Sequence, residues 1–100
     1  MIKHIVMWKI KDSVDGLTKL ECATKAKNLL ENLSKVIEEI ESIEVGVNTN
    51  NSTAAYDLVL VSVFKDEKAL QAYQIHPAHL EVGKYIETIK ISRTVVDYTV

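Results

Sequence analysis

The run Leu58-Val59-Leu60-Val61-Ser62-Val63-Phe64 constrains this chain more than any other segment. Successive side chains of an extended strand leave opposite faces. Leu58 and Leu60 therefore point one way and Val59, Val61 and Val63 the other, so a strand predicted from about residue 55 to 64 is apolar on both sides. The N-terminus repeats the demand. Over residues 2–10, Ile2, His4, Val6, Trp8 and Ile10 share one face of a strand, while Lys3, Ile5, Met7 and Lys9 share the other.

Between these strands the period changes. Thr18 followed three positions later by Glu21 has the capping-box pattern, and Ala23, Ala26, Leu30, Leu33, Ile37 and Ile40 recur at three- and four-residue steps. This predicts a long amphipathic helix from about 18 to 41. Ile43, Val45 and Val47 alternate as a short strand, and Asn48-Thr49-Asn50-Asn51-Ser52 ends it with turn-forming residues. Asp66 is placed to cap a short helix over 67–74, and Pro77 suits the first turn of another that runs to about 88. A last strand carries Ile91, Arg93, Val95 and Asp97 on one face and Ser92, Thr94, Val96 and Tyr98 on the other.

The order β-α-β-β-α-β, with its second helix broken, predicts an α+β protomer of ferredoxin-like layout: an antiparallel four-stranded sheet with helices on one face. At 100 residues the chain is one domain, spanning 1–100, and buries roughly 65% of its unfolded surface. Helices cover only one sheet face. At about 25 cal/mol per Å2, leaving Ile5, Met7, Val59, Val61 and Val63 wet forfeits several kcal/mol and exposes an adhesive patch. Self-association as a homodimer through the open face is the expected remedy, since Val100 ends the sequence too soon for a tail to shield it.

Charge and cysteine usage narrow the partners. A net charge of -2, with Lys and Glu interleaved, offers no basic stripe for a phosphate backbone, so nucleic acid is not an expected partner. No apolar run approaches the roughly 20 residues that span a bilayer. Cys22 is the only cysteine, and Met1 leads straight into a strand without a basic or apolar leader, so the cytoplasm is the expected location.

Four segments together resemble the stress-responsive dimeric α/β-barrel (Dabb) domain family: Ile2-Lys3-His4-Ile5-Val6, Tyr56-Asp57-Leu58-Val59, Tyr73-Gln74-Ile75-His76-Pro77-Ala78-His79 and Val96-Asp97-Tyr98. The resemblance covers nearly the whole chain. It implies a ferredoxin-like protomer whose sheet pairs with that of a second protomer to close a barrel. It also implies uneven function, because the family holds both stress-associated oligomers and a plant cyclase that closes a linear polyketide by a cofactor-independent aldol reaction. By resemblance to that cyclase, His79 matches the base, Tyr73 a tyrosine that binds and activates substrate, and His4 a strand histidine lining the pocket. The match is incomplete: Leu58 stands where the cyclase has a further histidine, and Lys25-Ala26-Lys27 surrounds the position of its first-helix tyrosine. Polyketide cyclisation is therefore not carried over.

The residue types support acid–base chemistry independently. Proton removal beside a carbonyl needs a base and a donor that steadies the enolate, and His with Tyr supplies both near neutral pH. Val6, Trp8, Leu58 and Leu60 would line the apolar part of such a pocket, with no cofactor required. A structural role for the same groups is the alternative: His79 bonded across to the sheet, His4 satisfied by a backbone carbonyl, and Tyr73 a core aromatic whose hydroxyl reaches the surface or His4. His76 and His79 share the spacing of metal ligands, but Pro77 puts His76 at a helix boundary and no Cys or carboxylate cluster completes a set, so no metal is expected.

Overall fold

Each apolar alternation becomes one strand of a single antiparallel sheet. The computed structural model describes residues Met1–Val100 in the order β1 (Ile2–Ile10), β2 (Ser13–Val14), β3 (Leu17–Thr18), α1 (Lys19–Asn32), β4 (Ile40–Val47), β5 (Leu58–Phe64), α2 (Glu67–Ile75), α3 (Pro77–Ile89) and β6 (Lys90–Thr99). Four strands pair in the order β4-β5-β1-β6. The chain thus leaves β1, crosses α1, and returns two strands away, which is the split βαβ of a ferredoxin-like fold.

Register assigns every side chain its face. His4 stands opposite Ser62 of β5 and Asp97 of β6, and Trp8 opposite Leu58 and Arg93. Val6, Trp8, Ile10, Val45, Leu58, Leu60 and Phe64 therefore point to the helices, where Ala23, Ala26, Leu30, Leu70, Val82, Ile86 and Ile89 close over them. The opposite register carries Ile5, Val61 and Val96 in one row and Met7 and Val59 in the next. No element of the chain covers that face, and Val96 and Tyr98 remain 52% and 43% exposed.

Local caps follow the sequence. Thr18 Oγ1 accepts from Glu21 N–H at 3.1 Å while Glu21 Oε1 accepts from Thr18 N–H at 3.0 Å, closing the capping box of α1. Asp66 accepts from Ala69 N–H at 2.9 Å and caps α2.

Three boundaries differ from the sequence reading. The helix expected to run to about 41 ends at Asn32, tightens into a 3-10 turn over Leu33–Lys35, and yields to β4 at Ile40. Leu33 and Ile37 are nevertheless buried, so the apolar period continues although the helix does not. The hairpin β2–β3 was not anticipated; Asp15 and Gly16 turn it with φ of 52° and 83°, the left-handed pair that Asp-Gly favours. The strand expected from 55 begins at Leu58, and just before it the Asp57 carboxylate accepts from Ile10 N–H at 2.7 Å.

Candidate functional site

A proline builds the site. Pro77 has no N–H and forces the preceding residue toward extended backbone, so His76 sits at φ -63° and ψ 134° and divides what would be one helix into α2 and α3. In an unbroken helix Ala78 N–H would bond to the Gln74 carbonyl. Instead it donates to His76 Nδ1 at 3.0 Å, so His76 is the cap of α3. The released Gln74 carbonyl accepts from His79 Nδ1–H at 3.0 Å.

That bond fixes the chemistry of His79. A carbonyl only accepts, so the proton is on Nδ1 and the neutral ring keeps its lone pair on Nε2. Burial lowers the His79 pKa from the ordinary 6.5; the Gln74 carbonyl opposes this, and the charges of His4, Arg93 and His76 add to it. His79 is thereby held as a neutral base.

Tyr73 lies beside it on α2, with ring centroids 4.5 Å apart. Its ring also packs 4.9 Å from Phe64 and 6.2 Å from His4. The side chain is 0% exposed and its hydroxyl has no hydrogen-bond partner. Burial pushes its pKa up to about 12, against the pull of Arg93, so the phenol is a donor at any physiological pH. His4 is buried on β1 and its Nδ1 meets Asp97 Oδ1 at 2.5 Å.

The three groups line one cavity of about 100 Å3, closed by Val6, Trp8 and Leu60 of the sheet and by Leu30, Val82 and Ile86 of the helices. Glu87 and Arg93 complete its wall. At Gly83, in the middle of α3, the wall has nothing within 4 Å of where a Cβ would sit. Leu58, expected among the lining residues, is instead packed in the core toward the other end of β5. Alternation placed it on the correct face, but its cross-strand partner Trp8 lines the cavity and Leu58 does not.

The structural alternatives for these groups meet different partners from those expected. His79 bonds to a helix carbonyl rather than the sheet, His4 to a carboxylate rather than a backbone carbonyl, and the Tyr73 hydroxyl reaches neither the surface nor His4. Asp97 and Arg93 were not singled out as site residues from the sequence; both share the face of His4, but only the β1–β6 register shows it. No cluster of three or more His, Cys, Asp or Glu side chains suited to a metal ion is present.

A wider groove of about 470 Å3 lies at the far end of β1, between Lys9, Lys19, Asp57 and the 48–53 loop. Its carboxylate, Asp57, is already engaged by Ile10 N–H and by Lys19 at 3.5 Å. It holds neither an orphaned donor nor a tuned base, so the smaller cavity is the stronger candidate.

Comparison with known proteins adds four findings. Residues 2–100 match the family described as Stress responsive A/B Barrel Domain. Among characterised sequences, the chain is 26% identical to olivetolic acid cyclase of Cannabis sativa, covering 98% of this chain and 95% of that protein. It is 30% identical to the stress-response A/B barrel domain-containing protein DABB1 of Arabidopsis thaliana over 98% of its own length, but spans only 46% of that protein. A crystal structure of a dimeric protein of unknown function with a ferredoxin-like fold, from Bacteroides fragilis, superposes with a TM-score of 0.89 at 35% identity, covering 99% of this chain and 95% of that one.

Proposed function

The chain belongs to the stress-responsive A/B barrel domain family, and from that premise we propose that it binds a small carbonyl compound between helices and sheet and moves a proton on it without a cofactor. The orphaned hydroxyl of Tyr73, a residue that lines the cavity, carries this reading: a fully buried donor without a partner costs about 1–3 kcal/mol, and a ligand oxygen that reached it would satisfy it. His79 Nε2 removes the proton beside the carbonyl, Tyr73 donates to the oxygen as negative charge develops there, and His4, braced by Asp97, holds the Tyr73 wall in place. The likeness to olivetolic acid cyclase supports aldol-type chemistry. The size of the cavity argues against a polyketide, since pockets for drug-sized ligands run to about 300–1,000 Å3.

Dimerisation through the open sheet face is part of the same proposal. It is supported by the apolar rows of Ile5, Met7, Val59, Val61 and Val96 and by the dimeric relative from Bacteroides fragilis. Each protomer then keeps its own cavity on the far side of the sheet. No helix is long and apolar enough to cross a membrane. The buried free thiol of Cys22 supports the cytoplasm as the proposed location.

The test is proton wash-out. Small ketones and aldehydes in deuterated buffer are followed by NMR for exchange at the carbon beside the carbonyl. Acceleration by the wild type, lost in Tyr73→Phe and His79→Gln, is the expected result. No acceleration and no ligand-induced rise in melting temperature would leave the second reading, a non-enzymatic structural oligomer, which the smallness of the cavity favours.

A further inference from the structure

One charged side chain on the cavity wall has no partner. Two carboxylates stand near it, Glu87 on its wall and Asp97 four residues along β6 from Arg93, and each already has a partner. Lys90 Nζ holds Glu87 Oε2 at 3.3 Å, and His4 holds Asp97 Oδ1 at 2.5 Å. Arg93 lines the same cavity, is exposed on its other side, and makes neither an ion pair nor a side-chain hydrogen bond. The pocket therefore has an apolar interior with one donor and one neutral base, and a free guanidinium on its wall.

We propose that the ligand is a short oxo acid, its carbonyl end inside the cavity with the oxygen on the Tyr73 hydroxyl and its carboxylate outside on the Arg93 guanidinium. A guanidinium presents paired N–H donors in the planar geometry of a carboxylate, which suits an anion far better than a neutral polar group. Volume agrees. A dry cavity of roughly 150 Å3 holds a benzene, so about 100 Å3 admits only the acyl end of such a molecule. The positive charge of Arg93 also reaches both working groups, lowering the pKa of Tyr73 and of His79, so it favours an enolate at the hydroxyl and a neutral imidazole beside it. The inference rests on the pocket proposed above and adds the charge of its ligand.

Pyruvate and acetoacetate, each paired with its uncharged amide, are titrated into the full-length protein while the ring signals of Tyr73 and His79 are followed by NMR. The expected result is that each acid binds at least about tenfold more tightly than its amide. Arg93→Gln should bring the acid down to the amide while leaving the amide unchanged, and Arg93→Lys should restore part of the difference. Equal binding of acid and amide by the wild type, or an equal loss of both in Arg93→Gln, overturns the role of Arg93 and leaves the pocket standing. If neither acids nor amides move the two ring signals, the pocket itself falls and this inference with it.

Discussion

His4 Nδ1 and Asp97 Oδ1 lie 2.5 Å apart, joining the buried face of β1 to the edge strand β6 across 93 residues of sequence. The His4 side chain is 3% exposed, whereas that of Asp97 is 40% exposed. Loss of the acceptor strands a ring N–H in the interior. Asp97→Ala should therefore cost about 1–3 kcal/mol of unfolding free energy, and Asp97→Asn, which keeps an oxygen acceptor, clearly less. Urea denaturation at pH 7 measures both, and equal losses would rule out the hydrogen bond as the source.

Tyr73→Phe should separate stability from function. The phenol hydroxyl is buried without a partner, so its removal leaves stability unchanged or raises it by up to about 1–3 kcal/mol, while proton wash-out from a bound carbonyl compound falls to background. A destabilised Tyr73→Phe protein would mean that the hydroxyl has a structural partner.

His79 predicts the acid side of the stability curve. Its folded pKa is lowered from 6.5, so below that value the unfolded chain binds the proton that the folded chain refuses. Its contribution is present above pH 6.5 and is lost as pH falls through the folded value. An NMR titration should place the His79 midpoint below 6.5, and His79→Gln should flatten this part of the pH dependence of stability.

Gly83 predicts a gain that harms binding. Alanine in a helix interior is better than glycine by roughly 0.5–1 kcal/mol, and a Cβ at this position meets no atom within 4 Å. Gly83→Ala should raise the melting temperature. Gly83→Leu should fill the cavity and abolish ligand-induced stabilisation, and full retention of binding in Gly83→Leu would place the ligand elsewhere.

A carboxylate in the middle of the open sheet face tests assembly. Val61 stands between Ile5 and Glu44 in the ladder, half-buried in the protomer. Val61→Glu should shift sedimentation from dimer to monomer while far-ultraviolet circular dichroism is retained. An unchanged dimer would move the interface to another surface.

Strand order and facing were legible because alternation is a local signal, and β1 and β5 carry it without interruption. The end of α1 was not legible. Leu33, Ile37 and Ile40 all bury apolar side chains at helical spacing, but from a 3-10 turn, a loop and a strand in succession, so period alone overran the helix by about two turns. Asp15-Gly16 is a hairpin dipeptide, but the strands it joins are two residues each, too short for alternation to mark them. In the site, His4, Tyr73 and His79 stood out by residue type, and the structure brings them to one cavity. Asp97 and Arg93 depend on the β1–β6 register, and the orphaned Tyr73 hydroxyl is a property of everything packed around it, which no single position encodes.

The break at Pro77 has a consequence for how such a site changes over generations. The tautomer of His79 is set by the main-chain oxygen of residue 74, which every amino acid supplies, so mutation at Gln74 leaves it intact. Sequence drift can then be absorbed by the walls, at positions such as Gly83, Leu30 and Arg93, while the base keeps its lone pair aimed and its proton parked. A fold arranged in this way can reshape the cavity by small steps without disturbing the His79 tautomer.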